Sequence, residues 1–151
     1  MITLISPAKK LDLDPVHNPI EPTEPELFSQ TKILAREAKT KSAADLKKLM
    51  NISDDLADLN AGRYKSFRLN GRSNNAKPAA LTFNGDVYLG LDAKTLSPAQ
   101  MKYAQEHLRI LSGLYGVLKP MDIIQPYRLE MGVRMQNPRG KNLYEFWGSR
   151  I

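Results

Sequence analysis

Apolar positions along the chain come in short runs separated by dense turn signals, and the runs set the expected elements. Met1 to Ile5 is apolar and rich in β-branched residues and stops at Ser6-Pro7, which predicts a buried first strand. Between Asp12 and Pro25 four prolines (15, 19, 22 and 25) break any periodicity, so this stretch reads as an extended surface connection. Thr23-Glu24-Pro25-Glu26 has the form of a capping box with proline in the first turn. Leu27, Phe28, Leu34, Ala35 and Ala38 follow at helical spacing and predict a helix to about Thr40. Ser42 caps a short second helix through Met50, and Ser53 a third whose inward residues are Leu56, Ala57 and Leu59. At the end of that third helix, Arg63, Tyr64, Lys65 and Arg68 suit a helix C-terminus, which favours cations.

The second half continues with a Gly/Asn/Ser-rich loop, Leu69 to Lys77. Ala79 to Phe83 reads as a second buried strand, Asn84-Gly85-Asp86 as a turn, and Val87 to Leu91 as an alternating strand. Ser97-Pro98-Ala99-Gln100 starts a helix with an N-cap, proline at the first position and glutamine at the third. Met101, Ala104, Leu108 and Leu111 mark its inner face, while Arg109 to Ser112 also fits a strand. The elements add up to an α+β fold, a mixed sheet with several helices in a single domain over residues 1–151.

The stretch Leu108 to Gly132 organises the rest. Gly113 and Gly116 bend an apolar segment just ahead of Pro120, either to make a tight turn or to bring bare backbone close to a ligand. Arg109, Lys119 and Arg128 lie among these apolar neighbours. A helix-hairpin-helix-like element built here would aim its amides at a phosphate while the bases supply charge, binding DNA without reading its sequence. The glycines are three apart, whereas the usual hairpin has them two apart.

Charge supports a polyanionic partner. The net charge is +6 and the pI about 9.5. Residues 101–151 carry eight bases against four acids, while residues 1–100 carry fourteen against twelve, so the excess belongs to the organising stretch and the residues after it. The candidate contacts to double-stranded DNA are Ser6, Lys9, Arg109, Gly113, Tyr115, Gly116, Lys119, Tyr127 and Arg128. The competing reading is an enzyme acting on a nucleotide or nucleobase, with Lys9 or Arg128 on phosphate and Asp86 or Glu130 as general acid or base. A third reading makes Arg128 and Glu130, two apart, an internal salt bridge on one strand face.

Other chemistry finds little purchase. There is no cysteine, which removes disulfides and thiolate ligands. His17 and His107 have no partner at ligand spacing, so neither a metal site nor a cofactor is expected. P-loop and dinucleotide fingerprints are missing, and no histidine is placed beside Ser6 or Ser112. No apolar run reaches membrane-spanning length, and the N-terminus is apolar before it is basic, the reverse of a signal peptide. A cytoplasmic protein is the expectation.

Five blocks carry a family resemblance: Ile5-Ser6-Pro7-Ala8-Lys9, Asn84 to Leu91, Leu108 to Pro120 (LRILSGLYGVLKP), Pro126 to Gly132 (PYRLEMG) and Phe146-Trp147-Gly148. In this order they resemble the successive signatures of the YaaA peroxide-stress family. Members of that family are longer, so the resemblance makes this chain an N-terminal portion that ends just after the last block. It implies a cytosolic bacterial protein that helps cells survive hydrogen peroxide by keeping free iron low. It also implies a mixed α/β fold of the family's own type, with a helix-hairpin-helix-like element and a positively charged cleft that can hold DNA.

Overall fold

The computed structural model describes residues 1–17 and 20–151. The main sheet has three strands, β1 (Thr3–Ile5), β3 (Leu108–Ser112) and β4 (Gly116–Leu118), and β1, expected to be buried, is an edge strand with Leu4 exposed and Ile5 half-buried. β1 runs parallel to β3 with Ile5 opposite Ile110, and β3 turns back into antiparallel β4 with Ser112 opposite Gly116. A second pair joins β2 (Lys77–Pro78) to β5 (Ile123–Ile124), antiparallel. Around these strands the described residues form helices α1 (Phe28–Lys39), α2 (Ala43–Met50), α3 (Asp54–Ser66), α4 (Ala79–Thr82), α5 (Asp86–Leu91), α6 (Pro98–His107) and α7 (Leu143–Trp147). The architecture is the mixed α and β one expected. No helix of the described residues is long and apolar enough to cross a membrane.

Where a helix start rests on local hydrogen bonds, the reading from sequence holds. Ser42 closes a capping box with Asp45, Ser53 accepts from the Leu56 amide, and Ser97 closes a box with Gln100 ahead of Pro98. Departures come where distant partners or burial decide. Thr23 does not cap α1, which begins at Phe28; its hydroxyl donates to Asp122 at 2.6 Å, ninety-nine residues away. In α3 the phase is shifted: Ala57, Asn60, Ala61 and Tyr64 are buried, while Leu56 and Leu59 are exposed. The expected strands at Ala79–Phe83 and Val87–Leu91 are the short helices α4 and α5. Runs of five apolar residues fit either conformation, and here packing around Phe83 and Tyr88 selects helical turns. The predicted proline-rich connection contains Asn18 and Pro19, which lie outside the described residues.

The larger core joins Leu34, Ala35 and Ala38 of α1 to Tyr64 of α3, Ile110 of β3, and Phe146 and Trp147 of α7. A smaller one gathers Ala80, Leu81, Ala93, Met101 and Met121. Lys39 ties α1 to α3: its ammonium donates to the carbonyls of Tyr64, Lys65 and Phe67 at 2.8–2.9 Å, satisfying the open acceptors of a helix C-terminus.

The glycine corner is where the structure corrects the sequence most. Gly113 and Gly116 join two strands, not two helices, and the corner is closed over: Leu114 and Tyr115 are buried, and the Tyr115 amide donates to Ser112 Oγ. Gly116 has φ +77°, and a Cβ there would meet the Trp147 ring at 2.8 Å. At Gly113 a Cβ would come within 2.1 Å of the Leu129 carbonyl oxygen. Both glycines therefore serve close packing of this hairpin. Three-residue connections join helices elsewhere, among them that between α2 and α3, where Asn51 takes a left-handed φ of 53°.

Candidate functional site

Because β1 and β3 are parallel, their carboxyl ends open on the same side of the sheet. That is the edge where open α/β sheets collect ligands. The loop Pro7-Ala8-Lys9 leaves one strand and Ser112-Gly113 the other, and the strap 126–131 crosses both. Two hydroxyl contacts hold it, and a third holds the loop after β1. Tyr127 and Ser112 share a hydrogen bond of 2.5 Å, Tyr64 donates to the Arg128 carbonyl at 2.6 Å, and Tyr88 donates to the Ser6 carbonyl at 2.6 Å. Burial raises the pKa of all three tyrosines, so each hydroxyl keeps its proton. Trp147 Nε1 fixes the Gly113 carbonyl from below at 2.9 Å.

The strap and the strand ends enclose a cavity of about 240 Å³ with mainly apolar walls, among them Ala8, Leu111, Leu129 and Met131. Its charged mouth is a triad. Arg128 Nη2 donates to Glu130 Oε1 at 3.2 Å, and Lys9 Nζ stands 3.8 Å from the same oxygen. The Arg128 side chain is 15% exposed, Glu130 43% and Lys9 66%. Arg128 Nε is enclosed and has no hydrogen-bond partner. Such a donor costs about 1–3 kcal/mol for as long as no acceptor reaches it.

Past Glu130 the cavity meets an open groove of about 810 Å³, edged by Lys41, Asp45 and Lys48 beside α2 and by Arg134. Lys41 precedes the α2 N-cap and Lys48 lies within α2, and both border the groove. Asp45 is engaged as the partner of Ser42 in the capping box, which holds its pKa below the usual carboxylate range through the Ser42 backbone and side-chain hydrogen bonds. Cavity and groove together are bordered by five cations (Lys9, Lys41, Lys48, Arg128, Arg134) and two carboxylates (Asp45, Glu130).

Arg109 and Lys119 lie elsewhere, at the opposite end of the β3–β4 hairpin. Arg109 Nη1 donates to the carbonyls of Gln105 and Leu108 at 2.9 and 2.8 Å. Lys119 Nζ sits 2.5 Å from Glu26 Oε1, which with the nearby charge of Arg109 keeps Glu26 below the usual carboxylate range. Beside them the buried Asp122 accepts from the Thr23 hydroxyl and, at 2.8 Å, from the Lys119 amide. Burial pushes its pKa up, against those hydrogen bonds.

Of the candidates named from sequence, the cavity thus brings together Lys9, Gly113, Tyr127, Arg128 and Glu130, with Ser6 next to its wall. It does not gather Arg109, Tyr115, Gly116 or Lys119, and Asp86 is exposed in the first turn of α5. Arg128 and Glu130 are paired, as the internal-bridge reading has it, though on an irregular strap rather than a strand. Lys41, Lys48 and Arg134 are not among those candidates; the basic excess after residue 100 points to Arg134 only in aggregate, and nothing local marks the two lysines. Among the described residues no three His, Asp or Glu side chains converge as metal ligands.

A family model described as Peroxide stress protein YaaA matches residues 1–151. A UPF0246 protein of Bordetella petrii is 55% identical, and those of Bordetella pertussis and Bordetella avium are 54% and 52% identical, each match covering 100% of this chain. The chain spans 59% of the length of these curated relatives.

Proposed function

Since the chain belongs to the YaaA family of peroxide stress proteins, we propose that it meets peroxide stress at DNA, binding the duplex backbone non-specifically along the basic groove. The observation that carries this reading is convergence: Lys9, Lys41, Lys48 and Arg134 come from three separate stretches of sequence and edge one open surface. Lysine and arginine heads on one surface, Lys41 half-buried and Lys9, Lys48 and Arg134 exposed, suit the phosphates of a duplex. The iron-limiting role that the resemblance implies belongs in this proposal to the whole protein, and no iron site is assigned to the described residues. A cytoplasmic location fits a DNA partner in a bacterial cell.

A titration of fluorescent duplex DNA with the intact protein, repeated from 50 to 200 mM salt, tests the groove. Four phosphate contacts give a slope of log K against log salt of about −3.6, the same for unrelated sequences. Replacing Lys41, Lys48 and Arg134 together by alanine should flatten it by about 2.7. An unchanged slope in that variant, or strong preference for one sequence, would remove the proposal.

An enzyme acting on a nucleotide in the same place is the second reading. Asp86 lies outside the cavity, which leaves Glu130 as its only candidate acid or base among the residues that line it.

A further inference from the structure

The unpaired Arg128 edge marks something the groove alone does not use. A guanidinium offers Nε–H and one Nη2–H side by side, in the geometry that takes two oxygens of a phosphate or carboxylate. Glu130 takes only the Nη2 half, at 3.2 Å, and Nε stays enclosed without an acceptor. Glu130 is itself weakly held: it is nearly half exposed, and its other cation, Lys9, is 3.8 Å away on a mostly exposed side chain. An ion pair this exposed adds little and is easily exchanged. Glu130 thus has the character of a stand-in, an internal carboxylate resting where an external anion would bind better.

Behind this anion position lies the apolar slot of about 240 Å³. Its volume is below the range of roughly 300–1,000 Å³ typical of sites for drug-sized ligands, which suits a small flat heterocycle. We infer that the slot receives one nucleotide, its base against Ala8, Leu111 and Met131 and its phosphate on Arg128 Nε and Nη2 with Lys9, in place of Glu130. The slot adjoins the groove at Glu130, a residue that borders both. In its DNA-borne form the inference rests on the groove reading, because a nucleotide extruded from a duplex lying there would reach the slot. A free mononucleotide has the same chemistry and needs no duplex.

Two measurements on the intact protein separate these sources. Deoxyadenosine monophosphate is titrated by NMR or calorimetry, with deoxyadenosine and inorganic phosphate as the two half-ligands. A duplex carrying 2-aminopurine, paired or mispaired, reports extrusion by a rise in fluorescence, larger for the mispaired base because less stacking is given up. Glu130→Gln should tighten the mononucleotide by about three- to tenfold by removing the competing charge, a gain that damage to the fold cannot imitate. Arg128→Lys, which cannot offer two parallel N–H groups, should weaken it by about tenfold or more. Mononucleotide binding without a fluorescence rise supports the slot with a free ligand, and the rise without mononucleotide binding supports it with DNA. Neither response, or weaker binding in Glu130→Gln, overturns the inference. Duplex binding with neither response removes the slot and keeps the groove, whereas mononucleotide binding without duplex binding does the reverse.

Discussion

At one end of the β3–β4 hairpin Arg109 and Lys119 meet Glu26 and Asp122; at the other, Lys9 and Arg128 meet Glu130. The residue types match, and both ends hold two bases within reach of carboxylates. At the first end no enclosed side-chain donor or acceptor of the described residues lacks a partner. Arg109 is committed to two carbonyls, Lys119 to Glu26, and Asp122 to Thr23 and a backbone amide. Gln105 closes the set by donating to Thr23 Oγ1 and accepting the Met121 amide. At the second end one guanidinium N–H has no acceptor, and the only carboxylate at the cavity mouth is shared by two cations. Charge alone does not separate a structural knot from a binding position. An enclosed donor left without an acceptor does.

The largest test of this contrast is backbone, not charge. The cavity end depends on the strap lying against Gly113, so Gly113→Ala should destabilise the protein by about 3 kcal/mol, read as a lowered urea midpoint, because a methyl cannot coexist with the Leu129 carbonyl 2.1 Å away. A midpoint within error of the parent would show that the strap is not clamped there.

Next is the knot itself. Asp122→Ala leaves the Thr23 hydroxyl and the Lys119 amide without their acceptor and should cost about 2–3 kcal/mol. Its pH dependence has a definite sign. Burial raises the folded-state pKa of Asp122, so its contribution to stability is greatest at low pH and declines as pH rises from the ordinary carboxylate value through the raised one. Glu26, held low chiefly by its hydrogen bond to Lys119, acts oppositely: its contribution is present above the ordinary value and lost as pH falls through the lowered one. Urea midpoints measured across the acid range should lose the Asp122 component in Asp122→Asn and keep that of Glu26. An identical pH profile in the variant would contradict the assignment.

The smallest effect on stability gives the sharpest comparison in function. Lys9→Ala, on an exposed side chain, should change stability by less than about 0.5 kcal/mol yet flatten the DNA salt slope by about 0.9. Lys119→Ala should do the reverse, lowering stability while leaving the slope unmoved. Equal slope changes in the two variants would erase the distinction between the ends.

Legibility from sequence followed the range of the interactions involved. The serine caps at 42, 53 and 97 bond groups three residues away and could be read directly. Thr23 carried the same signal and was diverted: its backbone pairs with Met121 and Ile123, and its hydroxyl accepts from Gln105 and donates to Asp122. The residues Lys9, Arg128 and Glu130 were visible as charges beside apolar blocks, but nothing local could show that they meet while Arg109 and Lys119 face the other way. The lysines of the groove had no local signal at all, since their role depends on Arg134 being folded to their side.

What the chain settled by itself was the serine-capped helix starts, the overall mixture of helix and strand, the basic excess and the family. The first three rest on neighbours within a turn or on composition, and the family on five sequence blocks in order. Tertiary structure alone decided that the glycine corner is closed, that short apolar runs coil instead of extending, and that one arginine keeps an unmet donor. Those outcomes depend on which atoms from distant segments fill the space around a group, and spacing along a chain does not contain that.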